Sequence, residues 1–233
     1  MKDTKKIVIS LGGSIMIPLE FNIPFVRQFI ASIREYTQQG YSFFIITGGG
    51  ATARLYQNGL KEVTGNSKDI EMLDWIGIFS TRLNAEFMRL AFGSEATDVV
   101  FWNPCDFSTI NKPIAIGAGD TPGHSTDHTA VLTAKGINSS RVINLSNIAY
   151  VYDSDPKKNS NAIKKEKLTW DEYFSFIPKE WTPGMNVPFD VKASYMAQKN
   201  GIEVCIINGN NIESFKNCIE GKAFEGTMLY DKS

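Results

Sequence analysis

With 233 residues the chain can bury a sizeable core, as one large α/β domain or as two small ones. Its 24 basic and 25 acidic residues leave a formal charge of -1, which gives no reason to expect nucleic acid or an anionic membrane as a partner. Hydrophobic residues at 42% and charged residues at 21%, no apolar run of membrane-spanning length, and a Met-Lys-Asp-Thr-Lys-Lys opening unlike a signal peptide place it in the cytoplasm.

Lys6 to Leu11 reads as a short apolar strand that ends at Gly12-Gly13-Ser14. Asn22 and Pro24 suit a helix start, and Val26, Phe29, Ile30 and Ile33 follow at helical spacing until Gly40 stops the helix. Tyr41 to Thr47 is a second strand, so the opening strand, turn and helix form with it one βαβ unit with parallel strands and a right-handed crossover. This strand stops at Gly48-Gly49-Gly50, and a helical segment begins with Arg54 one turn in. A polar patch, Asn58 to Ser67, precedes a long helix over about 68–91, with Leu73, Ile76, Leu83, Phe87 and Leu90 predicted on its buried face. Asp74 and Arg82 within it read as solvated or as an ion pair.

Val99-Val100-Phe101 and Pro113 to Ile116 read as further strands. The second leads into Gly117-Ala118-Gly119-Asp120 and then a helix over His128 to Lys135. Val142 to Leu145 is a strand, 157–167 a lysine-rich solvated loop, and Thr169-Trp170-Asp171-Glu172 a capping-box helix start. A loop over 178–188, a helix over Asp190 to Asn200, a strand at Ile202 to Ile207, a helix at Ile212 to Glu220 and a closing strand at Gly226 to Leu229 complete the chain. The alternation predicts a single three-layer α/β/α domain, residues 1–233, with a mainly parallel central sheet.

Three strands end in glycine-rich turns that run into helices. In an open parallel sheet such turns gather at the carboxyl edge, where ligands bind. Glycines let backbone lie directly against a ligand, and helix N-termini favour phosphate, with Arg54 in reach of the same anion. None of the turns fits the Walker or dinucleotide pattern. Three together point to a ligand carrying several phosphates, or to two phosphorylated ligands.

Ile-Ser-Leu-Gly-Gly-Ser (9–14), Thr-Gly-Gly-Gly-Ala-Thr-Ala-Arg (47–54) and Asp-Trp-Ile-Gly-Ile-Phe-Ser-Thr-Arg-Leu-Asn-Ala (74–85) resemble the amino-acid-kinase fold family. Pro-Gly-His-Ser-Thr-Asp (122–127), Val-Tyr-Asp-Ser-Asp-Pro-Lys-Lys (151–158), Pro-Phe-Asp (188–190) and Gly-Thr (226–227) continue the resemblance in order along the chain. Within the family the chain looks most like the archaeal-type uridylate kinases, on the strength of Asp74 with Thr81-Arg82-Leu83-Asn84. The resemblance implies transfer of the ATP γ-phosphate to UMP with Mg²⁺, the N-terminal half on the acceptor side, the C-terminal half on the ATP side, and a dimer-based hexamer. It places Gly12, Gly13 and Ser14 at the ATP phosphates, Gly49 at the UMP phosphate, and Gly50 and Arg54 between donor and acceptor. It gives Asp74 the UMP ribose hydroxyls. Thr121, Pro122, Gly123, His124, Ser125, Thr126 and Asp127 would wrap the UMP phosphate and base, and Ser146, Asn147, Tyr152 and Asp155 would hold the ATP nucleoside. Gly13, Gly50, Arg54 and Asp127 would carry the transfer, Asp127 as an orienter rather than a proton acceptor.

The chain departs from the pattern twice. Much of the family carries a lysine on the first strand where this chain has Ser10, with Lys5, Lys6, Lys157 and Lys192 as candidate substitutes. Ala149-Tyr150 stands where Asp-Gly is usual. The competing readings are a kinase for isopentenyl phosphate, carbamate or an acylated amino acid, and a nucleotide-binding or molybdenum-storage-like protein without transfer. His124 and His128 are four apart but lack a third ligand, so no metal is assigned to the protein's side chains. Trp75, Phe79 and Phe87 suit core or a subunit contact. Cys105, Cys205 and Cys218 read as buried or incidental thiols in a reducing compartment.

Overall fold

A computed structural model of the chain describes residues 5–66, 68–110, 112–156, 158–178 and 187–232. The first strand, β1 (Lys5–Leu11), turns directly into a single helical turn, α1 (Gly13–Met16). The long helix α2 (Ile23–Gln38) follows, capped by the Asn22 side chain, which accepts from the Phe25 amide. Strand β2 (Tyr41–Thr47) pairs parallel to β1 in the predicted βαβ arrangement. Then come α3 (Gly50–Thr64), α4 (Ile70–Phe92), β3 (Ile114–Gly117), α5 (Thr126–Gly136) and β4 (Arg141–Ser146). The remainder comprises β5 (Val151–Tyr152), β6 (Lys164–Lys165), β7 (Lys167–Thr169), α6 (Trp170–Phe176), α7 (Val191–Lys199), β8 (Glu203–Asn208), α8 (Ile212–Ile219) and β9 (Thr227–Tyr230).

The central sheet has the order β3-β2-β1-β4-β8-β9-β7. From β3 to β8 every pairing is parallel; β9 runs antiparallel to β8, with β7 parallel to β9 at the edge. The central strands are buried on both faces, so their side chains alternate between two cores. Ile7, Ile9, Leu11, Phe43, Ile45, Ile143 and Leu145 face one core with Phe29 and Ile33 of α2, Met88 of α4 and Phe215 of α8. Val8, Phe44, Ile46, Val142, Val204 and Ile206 face the other with Ala130 and Val131 of α5, Tyr173 of α6 and Ala197 of α7. This is the predicted α/β/α sandwich.

Four local expectations change. The first part of the patch at 58–67 is helix: α3 continues through Thr64, because packing along α4 outweighs the roughly 1 kcal/mol that Gly59 costs a helix. Val99-Val100-Phe101 forms no strand; Phe101 and Ala96 make single bridges to Gly117 and Ile114. The stretch 157–167 contains β6, which pairs with β5 as a small antiparallel ribbon. Most of the 178–188 loop (179–186), and Lys157, lie outside the described residues.

The fourth change matters most. On α4, Leu83 and Leu90 are 60% and 64% exposed, while Thr81, Asn84, Ala85 and Met88 are buried. Phe79 and Trp75 are also exposed, at 56% and 38%. The helix turns small and polar side chains inward because the backbone of two turns needs hydrogen-bond partners there. Asn84 Nδ2 donates to the carbonyls of Gly48 and Gly49 at 2.8 and 3.0 Å. Thr81 Oγ1 accepts from the Gly119 amide at 2.9 Å.

The first two glycine turns are interlocked. A Cβ on Gly13 would lie 2.2 Å from the Gly50 nitrogen, and one on Gly50 would lie 2.4 Å from the Gly13 carbonyl oxygen. Gly50 also sits at φ +61, in the left-handed region. Gly50→Ala should therefore destabilise the fold by about 2–4 kcal/mol through overpacking and backbone strain. Gly59→Ala, with open space around it inside α3, should instead stabilise by about 0.5–1 kcal/mol. Urea unfolding of both variants checks the contrast.

Candidate functional site

Because β1, β2, β3, β4 and β8 are parallel, their carboxyl ends share one edge of the sheet. The three glycine-rich turns and most of the other residues selected from sequence lie at strand ends on that edge or in the loops that follow. Gly12, Gly13 and Ser14 follow β1, and the Gly12 amide donates to the Leu145 carbonyl of β4 at 2.9 Å. Gly49 and Gly50 follow β2 and open α3, an N-terminus that no side chain caps. Thr121 to Asp127 lie between β3 and the first turn of α5, with Ser125 as the helix cap. Ser146 ends β4 and Asn147 follows it; Tyr152 ends β5, and Asp155 lies in the loop between β5 and β6.

Beyond β1, Arg54 Nη1 donates to Ser14 Oγ at 3.1 Å and Nη2 to the Pro18 carbonyl at 2.9 Å. These residues line a polar cleft of ≈ 420 Å³ with Asn22, Asn147 and Asn210. Next to it lies a cavity of ≈ 410 Å³ walled by Ser146, Asn147, Tyr150, Tyr152, Asp155 and Phe176. The ribbon at its mouth is anchored by Thr227, whose Oγ1 accepts from the Val151 amide at 2.8 Å and donates to the Lys165 carbonyl. Tyr150 holds the Lys164 ammonium over its ring, 4.5 Å from the centroid. Ala149-Tyr150 thus forms cavity wall rather than an Asp-Gly turn.

Beyond β3, Asp74 Oδ2 accepts from the Gly123 amide at 2.9 Å. Asp74 and Arg82 do not pair with each other. Arg82 donates to the carbonyls of Gly119 and Asp120 at 3.4 and 3.1 Å and stacks between Phe79 and Trp102, 5.4 and 4.7 Å from the ring centroids. One helix, α4, thus holds the turn between β3 and α5 at both ends. Nothing in the pattern around Arg82 distinguishes a turn-holding arginine from a solvated one, which is why sequence reading missed it.

Between the two sides stands Asp127. Its Oδ1 accepts from Ser10 Oγ at 2.7 Å and from Asn144 Nδ2 at 3.2 Å, and its Oδ2 from the Asp190 amide at 3.3 Å. Asp190 caps α7, and Tyr173 Oη fixes the residue before it by bonding both the amide and the carbonyl of Phe189. Ser10 and Asn144, neither of them picked from sequence, occupy adjacent central strands in register with one another. Of the candidate lysines, Lys5 and Lys6 lie at the opposite end of β1, bonded to Tyr41 Oη and the Ile137 carbonyl. Lys192 lies at the site, donating to the Gly123 carbonyl at 3.1 Å.

His124 and His128 stack with centroids 4.1 Å apart, and His124 Nδ1 lies 3.1 Å from Asp120. Burial, then the neighbouring His124, hold His128 below its usual pKa, so it stays neutral. Among the described residues no group of three or more metal-ligating side chains occurs. Cys205 and Cys218 are free and buried.

Burial pushes the Asp127 carboxyl up to about 6, against the lowering effect of the Ser10 hydrogen bond and with a further upward push from Asp190. A raised folded-state pKa means that the native protein holds this proton more tightly than the unfolded chain. The stabilisation is complete below about pH 4, the unfolded value, and is lost as pH rises through about 6. Melting temperatures of wild type and Asp127→Asn across pH 4–8 should diverge in that window. Wild type should decline relative to the variant, whatever the substitution does to absolute stability.

The profile of the Amino acid kinase family matches residues 5–208. The uridylate kinase of Archaeoglobus fulgidus is 32% identical over 227 residues, covering 96% of this chain and 99% of that protein. That of Thermococcus kodakarensis is 31% identical over 228 residues, with the same coverage of 96% and 99%. The crystal structure of the Archaeoglobus enzyme superposes with a TM-score of 0.80 at 29% identity, over 96% of this chain and 99% of that one. A UMP kinase structure from Bacillus anthracis, 21% identical, shares the fold with a TM-score of 0.79 over 98% and 97% of the two chains. The interlocked glycine turns, the turn after β3 held by α4 and these likenesses agree: the chain belongs to the amino acid kinase family, in the company of archaeal uridylate kinases.

Proposed function

We propose that this protein is a uridylate kinase, transferring the γ-phosphoryl group of ATP to UMP to give UDP and ADP. The observation that carries the reading is the joining of two phosphate-sized turns at one sheet edge, with Asp74 fastened to the acceptor turn. Two anions can then be brought together where side chains are absent. The relatives bearing the uridylate kinase name, aligned over nearly the full chain, support the choice of acceptor. We read the whole chain as one domain, with ATP on the β4–β8 side and UMP on the β2–β3 side.

In this reading the ATP nucleoside fills the cavity at Ser146, Asn147, Tyr152 and Asp155. Its phosphates run past Gly12, Gly13 and Ser14 towards Gly50 and Arg54. UMP lies against Gly49 and the turn Thr121 to Asp127, with its ribose hydroxyls on Asp74, a carboxylate suited to a diol. A UMP phosphate oxygen forms the new bond to the γ-phosphorus. The bond from that phosphorus to the β–γ bridging oxygen breaks, and its electron pair stays on ADP. The attacking phosphate has a second pKa of ~6 and is largely ionised near neutrality, so no base is required.

Asp127 fits the part of an orienter. Its lone pairs are engaged by Ser10, Asn144 and the Asp190 amide, which ties β1, β4 and α7 into one frame beneath the reacting groups. The site's donors suit a magnesium ion carried in on the triphosphate, with Asp127 as the nearby carboxylate, since no side-chain cluster among the described residues would hold a metal alone. Bound there, it would neutralise triphosphate charge. Arg54 does the corresponding work for the moving phosphoryl group. An exposed α4 face bearing Phe79, Leu83 and Leu90 would suit assembly into dimers and, from them, hexamers.

Measuring ADP release with Mg-ATP against UMP, CMP, carbamate, N-acetylglutamate and isopentenyl phosphate tests the acceptor. Turnover with UMP is expected, and turnover with only a non-nucleotide acceptor would overturn the reading. Asp74→Asn should raise KM for UMP well above any change in KM for ATP; equal effects would remove Asp74 from the ribose. Arg54→Ala should lower kcat by about 10²-fold, the scale for losing one preorganised charge at a transition state.

A further inference from the structure

The transfer site holds more negative than positive charge before any substrate arrives. Asp74, Asp120, Asp127 and Asp190 all contact the acceptor turn or the frame beneath it. Joining a nucleoside monophosphate to a triphosphate there concentrates further negative charge, and the moving phosphoryl group must be met by positive donors. On the donor side Arg54 serves. On the central strand Ser10 is buried, and its hydroxyl is committed to Asp127, so β1 supplies no cation.

On the acceptor side the structure sets two cations against the turn. Arg82 is locked from behind, its guanidinium held by the Gly119 and Asp120 carbonyls between two aromatic rings. Lys192 comes from the opposite direction. It stands in the first turn of α7, two residues beyond Asp190, whose amide donates to Asp127. Its ammonium donates to the Gly123 carbonyl, at the apex of the turn whose amide is taken by Asp74. Lys192 is exposed, and its ammonium also lies near enough to His128 to act on it electrostatically.

We propose that Lys192 is a catalytic residue of the phosphoryl transfer, supplying from α7 the positive charge that meets the phosphoryl group on the acceptor side. This rests on the uridylate kinase reading above. An ammonium has three donors on a flexible stem, so it can keep the Gly123 carbonyl and engage a phosphate oxygen beside it, or exchange one for the other. Its position on the helix turn that also orients Asp127 couples that charge to the frame of the site.

Steady-state kinetics of wild type, Lys192→Met, Lys192→Arg and Lys199→Met with Mg-ATP and UMP test this. Lys199 lies in the last turn of the same helix, and its variant should match wild type. Lys192→Met should lose about 10²-fold in kcat with little change in KM for UMP, and Lys192→Arg should recover part of the loss. A Lys192→Met enzyme with wild-type kcat and a raised KM would show that the lysine only holds the turn, overturning the inference while leaving the function standing. A lowered melting temperature that accounts for the lost rate, without rescue by arginine, would overturn it likewise. If the wild-type protein itself turns over no UMP, the function and this inference fall together.

Discussion

The architecture depends on two strand ends brought closer than side chains allow. Gly13 and Gly50 face each other with backbone atoms where Cβ atoms would be, and Gly48 is packed against the Gly13 nitrogen in the same way. Two phosphate-binding turns on adjacent parallel strands normally sit about one strand spacing apart, roughly 4.8 Å. Removing every Cβ at the seam lets them merge into one surface lined by backbone. The closeness would be useless if the turns could shift. Asn84 prevents this by holding both carbonyls of the second turn, and the Gly12 amide anchors the first turn to β4.

Around that seam, structure and charge are coupled through few residues. Helix α4 supplies Asp74, Thr81, Arg82 and Asn84 to two different turns, so a shift of this one helix would move the acceptor side as a unit. The frame beneath is built from Ser10, Asn144 and the Asp190 amide converging on Asp127. The carboxyl is raised by burial despite these donors, which shows that desolvation outweighs hydrogen bonding there. Three donors on its two oxygens tie the carboxyl to β1, β4 and α7 at once.

Much of this was legible in the chain. Strand periodicity, the Asn22 cap, the Thr169–Glu172 capping box and the glycine clusters each act within a few residues, and each appeared where the pattern put it. What escaped was decided by distant partners. The buried face of α4 is set by backbone groups of Gly48, Gly49 and Gly119, so Thr81 and Asn84 point inward while Leu83 and Leu90 point out. Hydrophobicity alone groups Leu83 and Leu90 with Phe87, which does pack against the core. The lysines of β1 were plausible by sequence proximity, yet strand direction carries Lys5 and Lys6 to the far edge. Helix α7, well over a hundred residues later, delivers Lys192 to the site instead.

Arg54 rests on neutral acceptors, the Ser14 hydroxyl and the Pro18 carbonyl. An arginine parked on a carboxylate would have to abandon an ion pair before greeting a phosphate. Here the exchange gives up contacts of about 1 kcal/mol apiece, smaller than the charge-assisted bonds that replace them. The guanidinium is therefore stored in a shallow well, so in the proposed function it could turn to a phosphate without a rearrangement of the fold.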